Sequence, residues 1–230
     1  LGQLIQRLNE VEGLERIRLG SLEPGLITEE YLEEIAQSNK LCPHYHLSLQ
    51  SGCAKTLRAM NRRYTPDEYA QAVERLRRFR PETEIKTDLI VGFRGETEAD
   101  FEECLAFLRL IGFAQVHVFK YSKREGTAAA RRMDQISEEV KHARSERAIQ
   151  AAEELSWEFA SRFIGGVREV LLEKTWEQGW EGYTDHYIRT LVEEEKTSGQ
   201  RMLSENQIVS VRFQNCVRQD GEIYLKGVIT

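Results

Sequence analysis

The chain has 230 residues, of which 40% are hydrophobic and 30% charged, and its net charge is −6. This composition is typical of a globular protein with one large domain, or with one large and one small domain. It argues against a general nucleic-acid coat, because neutralising phosphates requires an excess of lysine and arginine, although a local basic patch remains compatible with RNA binding. No apolar run approaches the ~18 residues of a membrane span, so no membrane partner is expected.

Strand and helix patterns alternate along the first two thirds of the chain. A short helix with Leu1, Leu4, Ile5 and Leu8 on one face comes first, and the chain is expected to be a fragment that starts inside a longer protein. Threonines that can cap helices and buried strand patterns then follow at spacings of roughly 30 residues. The predicted strands cover residues 16–19, 46–49, 85–91 and 116–121, and the predicted helices cover 28–40, 65–79 and 97–110.

This alternation predicts an α/β fold with parallel strands, either an open sheet or part of a (β/α) barrel. A long helix is predicted over 137–163, and Gly165-Gly166 breaks it. From Val167 short β-rich runs separated by turns predict a small all-β barrel. The domain prediction is therefore 1–165 for the partial α/β barrel and 166–230 for the small barrel.

Three polar side chains alternate with leucines in the second predicted strand. Leu47 and Leu49 point to one face, whereas His46, Ser48 and Gln50 point to the other. Polar side chains on the inner face of a strand are costly without partners, so a hydrogen-bonded layer inside the barrel is the plain interpretation. Their period-two spacing favours a ligand site, because ribose hydroxyls and an amino-acid head group need such small donors and acceptors.

Four more candidate residues lie on or directly after predicted strands, and parallel α/β folds bind ligands at the carboxyl ends of strands. Glu23 could pair with an ammonium or sulfonium group, and Arg124 belongs to a basic cluster that could hold a carboxylate or phosphate. Asp88 and Gly92 belong to a strand and its glycine-containing loop, in which Gly92 could let the backbone approach a ligand. Solvated turns and ordinary strand-to-helix glycines are the alternatives.

Aromatic and basic residues meet again in the C-terminal part. Tyr183, Tyr187 and Arg189 could stack on exposed RNA bases. Residues 167–230 contain 8 Lys/Arg against 11 Asp/Glu, a net charge of −3. Electrostatics alone therefore does not predict RNA binding, and a protein-interaction barrel is the alternative.

Five motifs in order resemble the radical S-adenosylmethionine (SAM) methylthiotransferases. They are Arg16-Ile17-Arg18-Leu19 with Ser21-Leu22-Glu23-Pro24, the stretch from His46 to Cys53, Met60-Asn61-Arg62, the loop from Asp88 to Thr97, and the stretch from Tyr121 to Thr127. Arg94 stands where the family's loop usually has proline. The tail from Val167 resembles the TRAM domain, an OB-like barrel that family members use to hold tRNA. The resemblance implies cofactor contacts by Glu23, His46, Ser48, Gln50, Asp88, Gly92 and Arg124.

The match is closest to the branch that acts on threonylcarbamoyladenosine in tRNA. Ser21-Leu22-Glu23-Pro24, the strand around Gln50, and Cys53 fit this branch better than the isopentenyladenosine or ribosomal-protein branches. The implied function of the whole protein is methylthio insertion at C2 of that adenosine, near the anticodon, in the cytoplasm. A ribosomal-protein methylthiotransferase and a non-catalytic RNA-binding scaffold remain the alternatives.

The cysteines do not match the family's Cys-x3-Cys-x2-Cys cluster loop. Cys42, Cys53, Cys104 and Cys216 are scattered, which favours a reducing compartment and excludes a disulfide framework. A [4Fe–4S] cluster that cleaves SAM needs three thiolates, so its ligands are expected to be absent from this chain. No metal ligand is assigned here, and the chain alone is expected to be inactive.

Overall fold

A computed structural model describes residues 1–193, 203–219 and 221–230. The first part forms a four-stranded parallel sheet in the order β1-β2-β3-β4, and the C-terminal part forms a closed five-stranded barrel in the order β5-β6-β7-β9-β8. The strands are β1 Ser21–Leu22, β2 His44–Leu47, β3 Glu84–Val91, β4 Gln115–Lys120, β5 Val167–Trp176, β6 Gly179–Thr184, β7 Arg189–Glu193, β8 Ile208–Gln219 and β9 Glu222–Ile229. The helices are α1 Gly2–Asn9, α2 Glu29–Ile35, α3 Ala54–Ala59, α4 Pro66–Phe79, α5 Glu98–Ile111 and α6 Glu138–Ser161.

The two long crossover helices begin where the sequence provides complete capping boxes. The Thr65 hydroxyl accepts the Glu68 backbone N–H, and the Glu68 carboxylate accepts the Thr65 N–H, so two otherwise free donors are satisfied at the start of α4. Thr97 and Asp100 do the same for α5. Local capping therefore sets the points at which these two helices begin.

The sheet has one apolar face and one polar face. Leu47, Leu49, Ile85 and Leu89 are fully buried in the apolar core beneath the helices. The opposite face, which we call the polar face, consists of directly paired residues that alternate with those core positions. It contains Ser21, His44, His46, Glu84, Lys86, Asp88, Gln115 and His117. His46 lies on the polar face and Leu47 and Leu49 lie in the core, as predicted. Ser48 and Gln50 lie beyond the end of β2, and Gln50 pairs with the core residue Leu89, so their predicted place on the polar face of the strand is not observed.

Three predicted boundaries are wrong in the first part of the chain. The segment 16–19 makes only an isolated bridge between Ile17 and Leu41, and the strand that joins the sheet is Ser21–Leu22, in the predicted loop. The helix predicted to reach residue 40 ends at Ile35. The strand predicted over 46–49 covers His44–Leu47, because the backbone turns at Gln50. Polar edge segments carry a weak periodic signal, which explains these shifts.

The predicted fold class is confirmed: an open parallel α/β sheet is followed by a small closed β-barrel. The long helix α6 connects them and packs against α5 and β4 of the first part and against β8 and β9 of the barrel. Phe159 and Phe163, at and just beyond its end, belong to the apolar core of the small barrel. The barrel is thus packed against the first part of the chain. In the part of the chain that the structure describes, no helix is both long and apolar enough to cross a membrane.

Candidate functional site

Residues of the polar face lie in two layers, one near the carboxyl ends of the strands and one near their amino ends. The upper layer contains His46, Asp88 and His117, each from a different strand. The His46 Nε2 lies 3.3 Å from the Asp88 Oδ2, and the His46 and His117 rings are 6.0 Å apart. Burial lowers the pKa of His117, which keeps that imidazole neutral. The layer therefore offers a carboxylate and two imidazoles to a polar ligand.

Gln50 lies directly beyond the end of β2 in an uncommon backbone conformation. Its φ is 65°, a region that residues other than glycine rarely adopt. The Gln50 N–H donates to the Asp88 carbonyl at 2.9 Å, and its carbonyl accepts the Ile90 N–H at 2.9 Å. Strained backbone of this kind is concentrated at functional sites. Gln50 is thus tied through its backbone to the strand that carries Asp88.

The other predicted cofactor residues are spread along the same edge of the sheet. The Ser48 N–H donates to the Leu22 carbonyl, which connects β1 to the end of β2. The Glu23 carboxylate pairs with Arg62 at 3.1 Å and stays half exposed. Arg124 lies on an exposed loop after β4. The structure thus brings His46 and Asp88 into contact, whereas Glu23 pairs instead with a helix-flanking arginine and Arg124 stays on the surface.

Gly92 is required by packing against α6. Its φ is +70°, and a Cβ atom there would lie 2.4 Å from the Lys141 Cγ. The Gly92 N–H donates to the Glu96 Oε2 at 2.5 Å. The Lys141 side chain therefore fills the space next to Gly92, where the sequence analysis predicted that a ligand could approach the backbone.

Replacing Gly92 by alanine is expected to destabilise the fold more than the same change at Gly112. Gly112 has a similar φ of +64° but open space around it, so Gly112→Ala measures backbone strain alone. Gly92→Ala adds the overlap with Lys141 and should lower the free energy of unfolding by about 1–3 kcal/mol more. Urea unfolding of both variants measures the difference. Equal losses would show that Lys141 moves away at no cost.

The lower layer of the polar face is a buried cluster of titratable groups. Glu84 and Lys86 are 2% and 6% exposed, and the Lys86 Nζ lies 3.4 Å from the Glu84 Oε1. Both ring nitrogens of His44 and the Glu84 Oε2 lack hydrogen-bond partners among the described residues. Burial lowers the pKa of His44 to about 3 and raises the pKa of Glu84 to about 7.

These two pKa shifts predict opposing effects of pH on stability. Below pH 6.5 the unfolded chain protonates His44 and the folded chain does not, so this group makes stability rise with pH between about 3 and 6.5. Between 4.5 and about 7 the folded chain holds the Glu84 proton more tightly, so this group makes stability fall as pH rises. Between pH 4.5 and 6.5 the two slopes oppose each other.

Single variants should expose each slope. Glu84→Gln should make the free energy of unfolding rise by up to about 1.4 kcal/mol per pH unit between pH 4.5 and 6.5, relative to the wild type. His44→Gln should change the slope by the same amount in the opposite direction. Urea unfolding across this range measures both. Parallel pH profiles for wild type and variants would contradict the assigned protonation states.

A cavity of about 780 Å³ separates the polar face, α6 and the small barrel. Its lining includes His46, Lys86, His117, Tyr187 and Arg189. Of the predicted cofactor residues, only His46 reaches it. This cavity therefore lies mainly toward the amino ends of the strands, whereas the predicted cofactor edge lies at their carboxyl ends. Parallel α/β folds bind ligands at the carboxyl ends of their strands, so we expect the cofactor at that edge and not in this cavity.

The predicted RNA-binding residues form an aromatic cluster beside this cavity. The Tyr183 and Tyr187 rings stack at 4.5 Å with 18° between their planes. Arg189 donates to the Tyr224 hydroxyl at 3.2 Å. Tyr187 also faces the lower layer of the sheet, so its ring is engaged within the chain as well as partly exposed.

Sequence reasoning missed the lower layer, including His44, Glu84 and Lys86. A signal was present, because polar residues occur at every second position from His44 to Gln50 and from Glu84 to Asp88. Following both runs upstream from the predicted site would have identified these residues.

The four cysteines do not form a cluster site. All are free and buried, and burial raises their pKa values, whereas cluster ligands are thiolates. Cys53 and Cys104 lie near each other beside Gly52, Cys42 lies near Arg16 and Arg18, and Cys216 lies in the small barrel. Three thiolates are thus not brought together, and the residues present do not fit a [4Fe–4S] cluster.

Comparison with known proteins agrees with the fold and the motifs. Residues 1–108 match the Radical SAM superfamily. Coproporphyrinogen III oxidase of Escherichia coli, a radical SAM enzyme, shares the fold with a TM-score of 0.55 and 18% identity, over 70% of this chain and 39% of that chain.

The curated relatives with similar sequences include enzymes that are named for tRNA methylthio modification. The tRNA-2-methylthio-N(6)-dimethylallyladenosine synthase of Clostridium botulinum is 40% identical over 75% of this chain and 38% of its own length. The threonylcarbamoyladenosine tRNA methylthiotransferase of Bacillus subtilis is 39% identical over 79% of this chain and 41% of its own. The chain spans about two fifths of the length of these relatives.

The parallel sheet and its match define a radical SAM domain. Within that superfamily, the chain is similar to the tRNA methylthiotransferases over about three quarters of its length. The family's cofactors are S-adenosylmethionine and [4Fe–4S] clusters, and the predicted recognition from the five motifs is confirmed.

Proposed function

We propose that the protein containing this chain inserts a methylthio group at C2 of threonylcarbamoyladenosine, next to the anticodon of tRNA, in the cytoplasm. The observation that carries this proposal is the match to tRNA methylthiotransferases over three quarters of the chain. The finer choice of substrate rests on Ser21-Leu22-Glu23-Pro24, on the strand around Gln50, and on Cys53. Relatives that act on the dimethylallyl nucleoside have similar identity, so that branch is the rival to test.

The proposed cofactor edge runs along the carboxyl ends of β1 to β4. His46 and Asp88 support it most strongly, because they form a partly exposed pair on the polar face. Ser48 and Gln50 follow just beyond the end of β2, and the strained φ of Gln50 points to a functional constraint. Glu23, Gly92 and Arg124 complete the proposed set, with Gly92 shaping the loop through its contact with Lys141.

This chain would bind and orient the cofactor's polar groups and exclude water from them, while S-adenosylmethionine supplies the radical and methyl chemistry. A carboxylate and imidazole rings suit a ribose and an amino-acid head group, which present both donors and acceptors. Because the four buried cysteines do not fit a cluster, we assign the cluster ligands to residues outside this chain.

We further propose that residues 1–165 and 166–230 are two domains and that the second holds tRNA. The supporting observation is the Tyr183 and Arg189 surface at the cavity between them. Aromatic rings next to arginine stack on bases without requiring a high net charge. Tyr187 contributes to this surface from the side that faces the sheet.

Nucleoside analysis of tRNA from cells lacking the gene tests the substrate. Mass spectrometry should show loss of 2-methylthio-threonylcarbamoyladenosine and accumulation of its unmethylthiolated precursor. The dimethylallyl derivative serves as the internal control and should stay unchanged. Loss of that derivative instead would assign the protein to the rival branch.

A further inference from the structure

Two arginines of the first domain hold one turn of the small barrel. The Arg18 guanidinium donates to the Asp185 carbonyl at 2.8 Å and to the Thr184 carbonyl at 2.6 Å. The Arg16 guanidinium donates to the Tyr183 carbonyl at 3.3 Å. Three successive carbonyls of the turn are therefore satisfied by a segment more than 160 residues earlier in the chain. Charge-assisted hydrogen bonds of this kind are stronger than neutral ones.

The same turn inserts the Tyr187 ring between Arg18 and Lys86, the latter a residue of the polar face. The Tyr187 ring centroid lies 4.6 Å from the Arg18 Cζ and 4.3 Å from the Lys86 Nζ. The His44 ring centroid lies 5.1 Å from the Tyr187 ring centroid, and the Tyr183 ring stacks on the Tyr187 ring. The quadrupole of the Tyr187 ring attracts both cations, so this stabilisation requires an aromatic side chain at position 187.

Backbone geometry indicates that this insertion is imposed by the fold. Tyr187 has φ of 60°, a conformation that is unusual for a bulky residue. Glycine or asparagine would adopt the turn without strain, so the tyrosine is maintained by its contacts and not by turn preference. The Tyr187 ring contacts Arg18, His44 and Lys86 of the first domain and stacks on Tyr183.

We propose that Arg18 and Tyr187 form a docking latch that fixes the orientation of the small barrel on the sheet, with Tyr187 as a positioning residue. The apolar contact with the end of α6 fixes one side of the barrel, and the latch fixes the side that faces the lower layer of the polar face. Lys86 and His44 lie two residues before Asp88 and His46 on the same strands. The latch thereby sets the position of the barrel relative to the proposed cofactor edge.

Cys42 reports on the latch without requiring any substrate. It is 4% exposed, and its N–H donates to the Ile17 carbonyl between the two arginines. Alkylation of a buried thiol needs local opening, so its rate follows the population in which the arginine segment separates from the barrel. Cys104, which is 3% exposed in the first domain, is the internal reference.

The test measures iodoacetamide labelling of each cysteine by peptide mass spectrometry in the 230-residue chain. Tyr187→Gly removes the ring while fitting the turn, and Arg18→Met removes the charge while keeping most of the volume. Both should raise Cys42 labelling about tenfold or more relative to Cys104. Tyr187→Phe, which keeps the aromatic face, should label like the wild type. Cys42 rates within twofold of wild type in both disrupting variants would overturn the latch, as would a tenfold rise in Tyr187→Phe.

A second measurement tests positioning and rests on the proposed function. In the full-length enzyme, Arg18→Met, which leaves the aromatic rings proposed to stack on RNA in place, should raise KM for tRNA about tenfold and leave KM for S-adenosylmethionine within twofold. If Cys42 opens but KM for tRNA is unchanged, the positioning role is overturned. If the enzyme does not modify tRNA at all, the proposed function fails while the Cys42 result still decides the latch.

Discussion

Replacing Glu84 by alanine is expected to lower the free energy of unfolding by about 3–5 kcal/mol near pH 8. The variant leaves the Lys86 ammonium buried at 6% exposure, facing the Arg18 guanidinium without its carboxylate partner. Burial already lowers the pKa of Lys86, and Glu84 opposes that shift. Removing one member of a buried pair costs more than the pair itself contributes, because an uncompensated charge remains.

Two controls separate this effect from general damage to β3. Glu82→Ala removes an exposed carboxylate two residues earlier, which pairs with Arg168, and should cost at most about 1 kcal/mol. The double variant Glu84→Leu/Lys86→Met removes both charges and should recover most of the loss. Urea unfolding measures all three. A loss below about 1 kcal/mol for Glu84→Ala would show that water reaches Lys86 freely.

In the full-length enzyme, Gln50→Ala should weaken S-adenosylmethionine binding at least tenfold and leave tRNA binding nearly intact. Gln50 lies at the carboxyl end of β2, held by backbone hydrogen bonds to Asp88 and Ile90, so its amide would be presented to the cofactor in a fixed position. Losing a hydrogen bond to a charged group costs about 1.5–3 kcal/mol, which corresponds to roughly ten- to a hundredfold in affinity.

Asn61→Ala is the matched control for Gln50→Ala. Asn61 has φ of 60° but follows α3 instead of a strand, so this variant measures the effect of placing alanine in a left-handed conformation. Calorimetry with S-adenosylmethionine and filter retention with tRNA give the two affinities. Equal cofactor affinities in the two variants would remove Gln50 from the site.

The alternation of helices and strands was predictable because residues within each segment determine it. Thr65 and Thr97 carry complete capping boxes, and Leu47 and Leu49 alternate with polar residues. The first strand was misplaced because its two residues, Ser21–Leu22, are too few to show a period. Pairing with β2 alone defines it, and such pairing is not visible in a single segment.

The candidate site was predictable only in part. His46 and Asp88 come together because their strands are adjacent and Asp88 is the next residue on the same face after Lys86, the register partner of His46. The insertion of Tyr187 depends on how the small barrel packs on the sheet, and no local pattern encodes it. Gly92 shows the converse case, since a glycine that suggested ligand approach instead accommodates Lys141.

The measurement that tests the central proposal most directly is product analysis with the purified full-length enzyme and two tRNA substrates. One tRNA carries threonylcarbamoyladenosine next to the anticodon, and the other carries the dimethylallyl derivative at the same position. Anaerobic reaction with S-adenosylmethionine, a reductant and a sulfur source, followed by mass spectrometry of the nucleosides, should give the methylthio product on the first tRNA at a rate at least tenfold higher than on the second. Product on the second tRNA alone, or on neither, would contradict the proposed function.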